Sequence, residues 1–508
     1  MTRILRSHRV RQVGLVMALA LAAAWMQTCQ AADKNETQKP LGAGLVLQDQ
    51  ASLRGAARDS APLQAQLWRG EALEIRGERQ DFVNVWDYRR ERGGWLRKSQ
   101  VYRLPADPNE MLAALRLVRQ QAGAEALGLG LGAAYVQAAS REQLNGLAGA
   151  EVLDALGTLA ERIADRASQG NKQNEAVVAA QLDVAARYGL RFTGLEQADG
   201  RIQLCYDGDA FRRVLSLPAA PEQQARAALA LTRPDCVNPV ATPTEREAHD
   251  GWRAEVLDRV ELQDLAPHWK NRVLMRRAAV QASLAFARSS RDAAGSTQSA
   301  RLALEAMGSI QLLEIAEDDQ SAWNDAAMRV NAVRWAALPR PESQTLGAGL
   351  RLLSSRGSSE GETCVVLQQE ASKAELARRC SHGQVWLASA SANREGTAVA
   401  LAVQSLDGWR ELWVFSRKGR EAWRLQVLPP AVATPGLGYA EFAGWVPGGQ
   451  QLLVSRESRA EGRYLRRSFE LLSPDTLTTE RQAPEAQQLG AFQRWQDPAW
   501  KRASLALR

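Results

Sequence analysis

The sequence predicts a multidomain α+β chain: a small β-barrel at the N-terminal end, a central all-α domain, and a C-terminal antiparallel β domain. Three observations predict it. A chain of 508 residues is longer than one hydrophobic core can organise. Its apolar pattern alternates with a period of two up to about residue 105, runs at helical spacing to about 340, and returns to short alternating segments from about 346. Turn residues punctuate both β-rich ends at close intervals. The expected boundaries are 1–31 for an export leader, 41–104 for the first β module, 105–340 for the helical domain with a hairpin near 190–206, and 346–508 for the β-rich tail.

The leader comes first. Arg3, Arg6, Arg9 and Arg11 precede an apolar run of 13 residues, Val13 to Trp25. Thr28-Cys29-Gln30-Ala31-Ala32 then offers small residues at a cleavage position, the layout of a secretory signal peptide. The run is shorter than the roughly 20 residues that cross a bilayer. The mature chain is therefore expected to be exported and not membrane-spanning, with the periplasm as its first address and a secreted or envelope-associated state as the variants. Met26-Gln27-Thr28 lacks the small residue expected just before a lipidated cysteine, so Cys29 is not read as a lipid anchor.

Export gives meaning to the cysteines. Beyond Cys29 the chain holds Cys205, Cys236, Cys364 and Cys380. Four cysteines allow three connectivities, and local spacing favours Cys205–Cys236 with Cys364–Cys380. In an oxidising compartment such pairs are structural.

Charge excludes one class of partner. The formal net charge is +7, of which the leader arginines supply +4. Residues 41–104 carry 11 basic and 8 acidic side chains, 105–339 carry 25 and 30, and 340–508 carry 22 and 17. Binding dominated by phosphate neutralisation needs a concentrated basic stripe, and none is visible, so nucleic acid is not an expected partner.

Within 41–104, short strands are read at Leu45–Leu47, Ala72–Arg76 and Phe82–Trp86, with Gly94–Arg97 leading into Val101–Leu104. The turn at Gly70 before ALEIRGE, the alternating FVNVW, Gly93-Gly94-Trp95 and the closing Val101–Leu104 resemble the bacterial SH3 (SH3b) family over about 60 residues. The family's opening Val-Asn-Val-Arg strand stands here as Ala51-Ser52-Leu53-Arg54, of which Leu53 and Arg54 match. The resemblance implies an SH3-like barrel that binds or targets, often to cell-wall peptides in exported proteins. It makes Trp68, Trp86, Tyr88 and Tyr102 candidates for a ligand groove, because aromatic rings give large contact area with a polar edge. Arg90, in the charged turn Arg89–Arg92 beside Tyr88, joins them.

The helical stretch is marked by its caps. Asp107-Pro108-Asn109-Glu110 reads as a helix start, Ser140-Arg141-Glu142-Gln143 as a capping box, and Thr242-Pro243-Thr244-Glu245 as a third start. Val152, Leu153, Leu156, Leu159, Ala160 and Ile163 form a helical stripe, and Gly189 is placed to end the helix over 174–188. LRFTGLE and RIQLCY flank Asp199-Gly200 as a hairpin. Four further helices are expected over 245–263, 267–290, 297–317 and 321–338, without the 34-residue period of a tetratricopeptide solenoid. Leu127–Gly132 (LGLGLG) lacks the strand context and full spacing of a phosphate-binding loop.

In the tail, strands at 385–389, 398–404, 411–417 and 422–428 are followed by a second set at 441–446, 451–457 and 464–472, offset by about 55 residues. Trp445-Val446-Pro447-Gly448-Gly449 resembles the Trp-Ser-Pro-Asp-Gly repeat of TolB-like and WD40-like β-propellers over about 385–480, with Gly448 where the repeat has Asp. Two blades do not close a propeller. The expectation is a partial propeller or a twisted antiparallel sheet, with strands at 348–354 and 363–369 and the Cys364–Cys380 pair contributing.

No catalytic motif is present. His249, His268 and His382 form no HExxH or other paired spacing, and there is no Ser-x-x-Lys pair. No metal site, cofactor or catalytic residue is assigned. The expected function is a non-catalytic exported binding or scaffold protein whose partner is peptidoglycan or a cell-envelope protein. The alternative is an envelope hydrolase with acidic catalytic residues that spacing does not reveal.

Overall fold

The computed structural model describes residues 40–507, apart from 171–173, 198–199 and 433. The leader, with Cys29, lies outside the described residues. Among these residues no helix is long and apolar enough to cross a membrane.

Seven strands open the fold: β1 Gly42–Val46, β2 Ala51–Arg54, β3 Leu63–Leu67, β4 Ala72–Arg79, β5 Phe82–Asp87, β6 Arg92–Arg97 and β7 Val101–Arg103. They form one antiparallel sheet in the order β3-β2-β6-β5-β4-β1-β7. Every strand sends a side chain into the same small core: Val46, Leu53, Leu67, Ile75, Val85, Leu96 and Val101 among others. The sheet is thus coiled around one core, but its end strands β3 and β7 do not pair, so the ladder is not closed into a barrel. Strand β3, with an exposed–exposed–half-buried pattern, lacks the apolar alternation that would mark it in sequence.

Five helices follow: α1 Pro108–Val118, α2 Glu125–Ala138, α3 Arg141–Asn145, α4 Leu147–Ser168 and α5 Glu175–Arg187. The Asp107 carboxylate accepts from the Asn109 N–H, and Ser140 forms its capping box with Gln143. The LGLGLG run lies inside α2, where glycine is helix-weakening by about 1 kcal/mol relative to alanine. Close packing is the reason for it. A Cβ on Gly128 or Gly132 would come within 2.6 Å of Leu159 or Leu156 on α4, and one on Gly130 within 2.9 Å of Leu45 on β1. Helix α2 is therefore pressed between α4 and the N-terminal sheet, and Leu45 joins the helical core.

The hairpin, β8 Phe192–Glu196 with β9 Ile202–Tyr206, leads to α6 Asp209–Val214 and α7 Pro221–Leu231. Cys205 on β9 is bonded to Cys236. Then come α8 Pro243–Asp258, α9 Pro267–Arg288, α10 Ala293–Gly308 and α11 Gln320–Val333, with the Thr242–Glu245 capping box opening α8.

The tail has two sheets. The first is β10 Ser343–Leu346, β11 Leu350–Arg356, β12 Thr363–Gln369 and β13 Glu375–Ser381, paired in sequence order, with Cys364 bonded to Cys380 across β12 and β13. The second holds β14 Gln384–Ala392, β15 Ala398–Leu406, β16 Trp409–Ser416, β17 Arg424–Leu428, β18 Leu437–Trp445, β19 Leu452–Ala460, β20 Arg463–Leu472 and β21 Thr479–Ala483. The two strand sets read as successive propeller blades are one continuous sheet, joined where β16 runs parallel to β18. The Trp445–Gly449 stretch is the hairpin turn from β18 to β19. Gly448 and Gly449 take positive φ there, and the Gly448 N–H donates to Glu395 at 2.7 Å. Two helices close the described chain, α12 Gly490–Trp495 and α13 Pro498–Leu507.

One face of the large sheet packs Leu387, Val399, Leu401, Val403, Trp413 and Phe415 on the small sheet. The other face meets the helices: Trp386 and Ala402 share a core with α9, α10 and α11. The last helices of the middle are thus built onto the tail.

Candidate functional site

The N-terminal sheet distributes its five candidate residues over different surroundings. Trp86 on β5 stands opposite Glu74 on β4 and Gly93 on β6. The Arg76 guanidinium lies over the Trp86 ring, 4.3 Å from its centroid, and a Cβ on Gly93 would meet that ring at 3.2 Å. The indole is thereby held between Gly93 and a cation, a contact worth about 0.5–1 kcal/mol at an exposed site. Arg76 also donates to Glu74 at 2.6 Å. Tyr88, 67% exposed just past β5, donates its hydroxyl to the other Glu74 oxygen. The Tyr88 hydrogen bond, ahead of the Arg76 one, holds the Glu74 carboxyl below its usual range, and the same bond raises the Tyr88 phenol. Tyr88, Glu74, Arg76 and Trp86 therefore form one connected, solvent-facing patch. Glu74 and Arg76 were not singled out by sequence. Their signal was the alternation of ALEIR, which puts both on the face opposite Leu73 and Ile75.

Arg90 belongs to a second cluster. It grips Glu71 at 3.0 and 3.2 Å and Asp87 at 2.6 Å. Burial works against the Arg90 charge, but the Glu71 and Asp87 bonds outweigh it and leave the guanidinium raised. Glu71 is 4% exposed and also receives Arg187 from α5 at 2.9 Å, with Arg89 at 3.7 Å. Arg89 and Arg187 share Asp183 of α5, and the Tyr188 hydroxyl donates to the Gly70 carbonyl at 2.6 Å. The charged turn thus fastens the sheet to α5. Tyr102 packs on the helical core beside Leu45, and Trp68 is half-buried where the chain turns into Gly70. The structure joins Trp86 with Tyr88 and sets Arg90 and Tyr102 in the seam between sheet and helices.

The described residues form several concavities elsewhere, among them the following two. A cleft of about 690 Å³ between α8, α9 and α11 is lined by arginines and aspartates in equal number. Its cations have internal work. Arg253 and Arg276 both donate to the Thr232 carbonyl at the end of α7, where the helix dipole favours a cation, and Arg272 grips Asp319. A cavity of about 730 Å³, mostly apolar, lies between α10, the large sheet and α13.

Among the described residues one group has metal-ligand proximity, Glu362 with Cys364 and Cys380. Both sulfurs are committed to the disulfide and offer no thiolate. On α4, burial raises the Glu161 carboxyl to about 7, against the lowering influence of Arg233. Asp235 nearby is lowered, because hydrogen bonds and charge from Arg233 outweigh its own burial.

Comparison with protein-family models, with curated proteins and with solved structures gives no match.

Proposed function

We propose that this is an exported, non-catalytic binding protein whose N-terminal sheet recognises cell-wall peptide or a cell-envelope protein through the patch of Tyr88, Trp86, Arg76 and Glu74. The observation that carries the reading is the fixing of exposed Tyr88 by the Glu74 carboxylate, which lowers the entropy lost when a partner covers the ring. An aromatic flanked by a cation and an anion suits a peptide with both charges, as cell-wall stem peptides have. The resemblance of residues 41–104 to the bacterial SH3 family supports the same reading, and the leader supports export, with the periplasm as the first address. Two disulfides are compatible with export.

The patch is carried on a module tied to α5 through Glu71, so the scaffold would present it in a fixed direction. Sedimentation with purified peptidoglycan sacculi tests the proposal. Retention of the mature protein in the pellet, with no soluble fragments, is the expected result.

A second reading rests on Glu161 and Asp235. Arg233 reaches both, Asp235 at 2.5 Å and Glu161 at 3.7 Å, and two neighbouring carboxyls whose environments push their pKa values apart are what acid–base hydrolysis needs. Under that reading soluble muropeptides appear in the supernatant, and Glu161→Gln abolishes them.

A further inference from the structure

The cavity beneath α13 is built differently from the rest of the core. Leu304, Trp335, Leu338, Leu412, Phe442 and Trp500 supply its large apolar side chains. A volume of about 730 Å³ is within the roughly 300–1,000 Å³ that small-molecule sites occupy.

Set into this apolar wall is a buried charge cluster. Arg334 and Arg410 converge on the same oxygen of Glu441, Arg410 at 3.1 Å, and Arg410 gives a second bond to the Asn331 carbonyl at 2.6 Å. Burial pulls the Arg410 charge down toward about 10, and the Glu441 carboxylate is stabilised by Arg334 and Arg410 against its own burial. The wall thus carries two guanidinium groups to the one Glu441 carboxylate. Arg334 Nη1 and Arg410 Nε are buried with no hydrogen-bond partner, while the Trp500 indole N–H lies beside Glu441 and helps to lower its carboxyl. The N–H groups left over on this wall both belong to guanidinium groups. The other acid on the wall, Asp497, is occupied: its carboxylate accepts from the Ala499 and Trp500 N–H groups at the start of α13. Uncompensated positive charge in a low-dielectric wall is costly unless an anion meets it.

The sheet also opens here. The β14–β15 ladder pairs Trp386 with Ala402 and resumes only at Ser391 with Ala400, so Leu387–Ala390 fall outside the register. Ala388, Ser389 and Ala390 of that bulge line the cavity, and the Ser389 hydroxyl bridges the gap by donating to the Trp386 carbonyl and accepting from the Ala402 N–H. Bulges of this kind concentrate beside binding and active sites.

We propose that this cavity binds a small amphipathic acid, an apolar chain or ring system carrying a carboxylate, with the acid group drawn to the Arg334–Arg410 side and the apolar body against Leu304, Leu412, Phe442 and Trp500. The site is separate from the N-terminal patch and does not depend on it.

Dodecanoate, with dodecanol as its uncharged counterpart, is the probe. Calorimetric titration of the full mature protein, first stripped of bound lipid, should give saturable 1:1 binding of dodecanoate and at least about tenfold weaker binding of dodecanol, a difference of about 1.4 kcal/mol. Arg334→Met should weaken dodecanoate by a similar factor. Gly308 lines the cavity, and a Cβ there meets nothing within 4 Å. Gly308→Trp should therefore block entry while the fold, checked by circular dichroism, is retained. Ala388→Trp is a second filling variant, so that misfolding of one leaves the other to decide. Absence of saturable binding, equal binding of acid and alcohol, or undiminished binding in the folded filling variants would overturn the proposal.

Discussion

Replacing Glu71 with alanine probes the seam between the N-terminal sheet and the helices. Glu71 is the shared acceptor of Arg90 and Arg187, with Arg89 also near, and it is buried. Breaking a buried ion pair by removing one partner costs about 3–5 kcal/mol. Two features of the structure reduce that figure. Arg90 keeps Asp87 and Arg187 keeps Asp183, and both guanidinium groups are about a quarter exposed, so water can reach them. The expected loss is about 2–3 kcal/mol, nearer the value of a single charged hydrogen bond. Hydrogen exchange of the β4 and β5 amides gives the assay, because undocking the sheet exposes Leu45 and Gly70 without unfolding the tail. Leu73 and Ile75 should exchange at least about tenfold faster in Glu71→Ala, since 1.4 kcal/mol is a factor of ten. Arg89→Ala, which removes the 3.7 Å contact to Glu71 and an exposed ion pair with Asp183, should change little. Unaltered exchange at Leu73 and Ile75 would refute the assignment of Glu71 as the fastening residue.

Three more outcomes follow from other residues. Gly70 has φ +84°, and an added Cβ would collide with the Ala126 carbonyl on α2, so Gly70→Ala should lower stability by at least about 2 kcal/mol in urea unfolding, combining left-handed strain with the collision. Glu161 has a raised folded-state pKa, so its contribution to stability is most favourable below about 4.5 and is lost as pH rises to about 7. Glu161→Gln should be stabilising by up to about 3 kcal/mol at pH 8 and near neutral at pH 4, read from unfolding midpoints at the two pH values. The Cys205–Cys236 bond spans 31 residues and should contribute about 3–4 kcal/mol by loop closure, so Cys205→Ser with Cys236→Ser should lower the melting temperature more than any single surface change.

Much of the local structure was legible in the sequence because its causes are local. The caps at Asp107, Ser140 and Thr242, the hairpin across 192–206 and the two disulfide pairings each depend on a few neighbouring residues. Features set by distant packing were not legible. The glycines of α2 look like a loop until Leu45, Leu156 and Leu159 are brought against them. The offset strands of the tail look like blades until β16 and β18 are seen side by side. Of the candidate patch, sequence singled out Trp86 and Tyr88 but not Glu74 and Arg76, and it grouped with them Arg90, which is engaged in the seam. Glu441 gave no sign of burial, since Arg334 and Arg410 reach it from a distant helix end and a neighbouring strand.

The measurement that bears most directly on the proposed function is sacculus sedimentation of the mature protein beside Tyr88→Ala. Tyr88 is exposed and packs into no core, so its removal should leave folding intact and weaken pelleting by about tenfold or more, as loss of an aromatic anchor does. Equal pelleting of the two proteins would contradict the assignment of this patch as the binding surface. Release of soluble muropeptides by the wild type would contradict the non-catalytic reading itself.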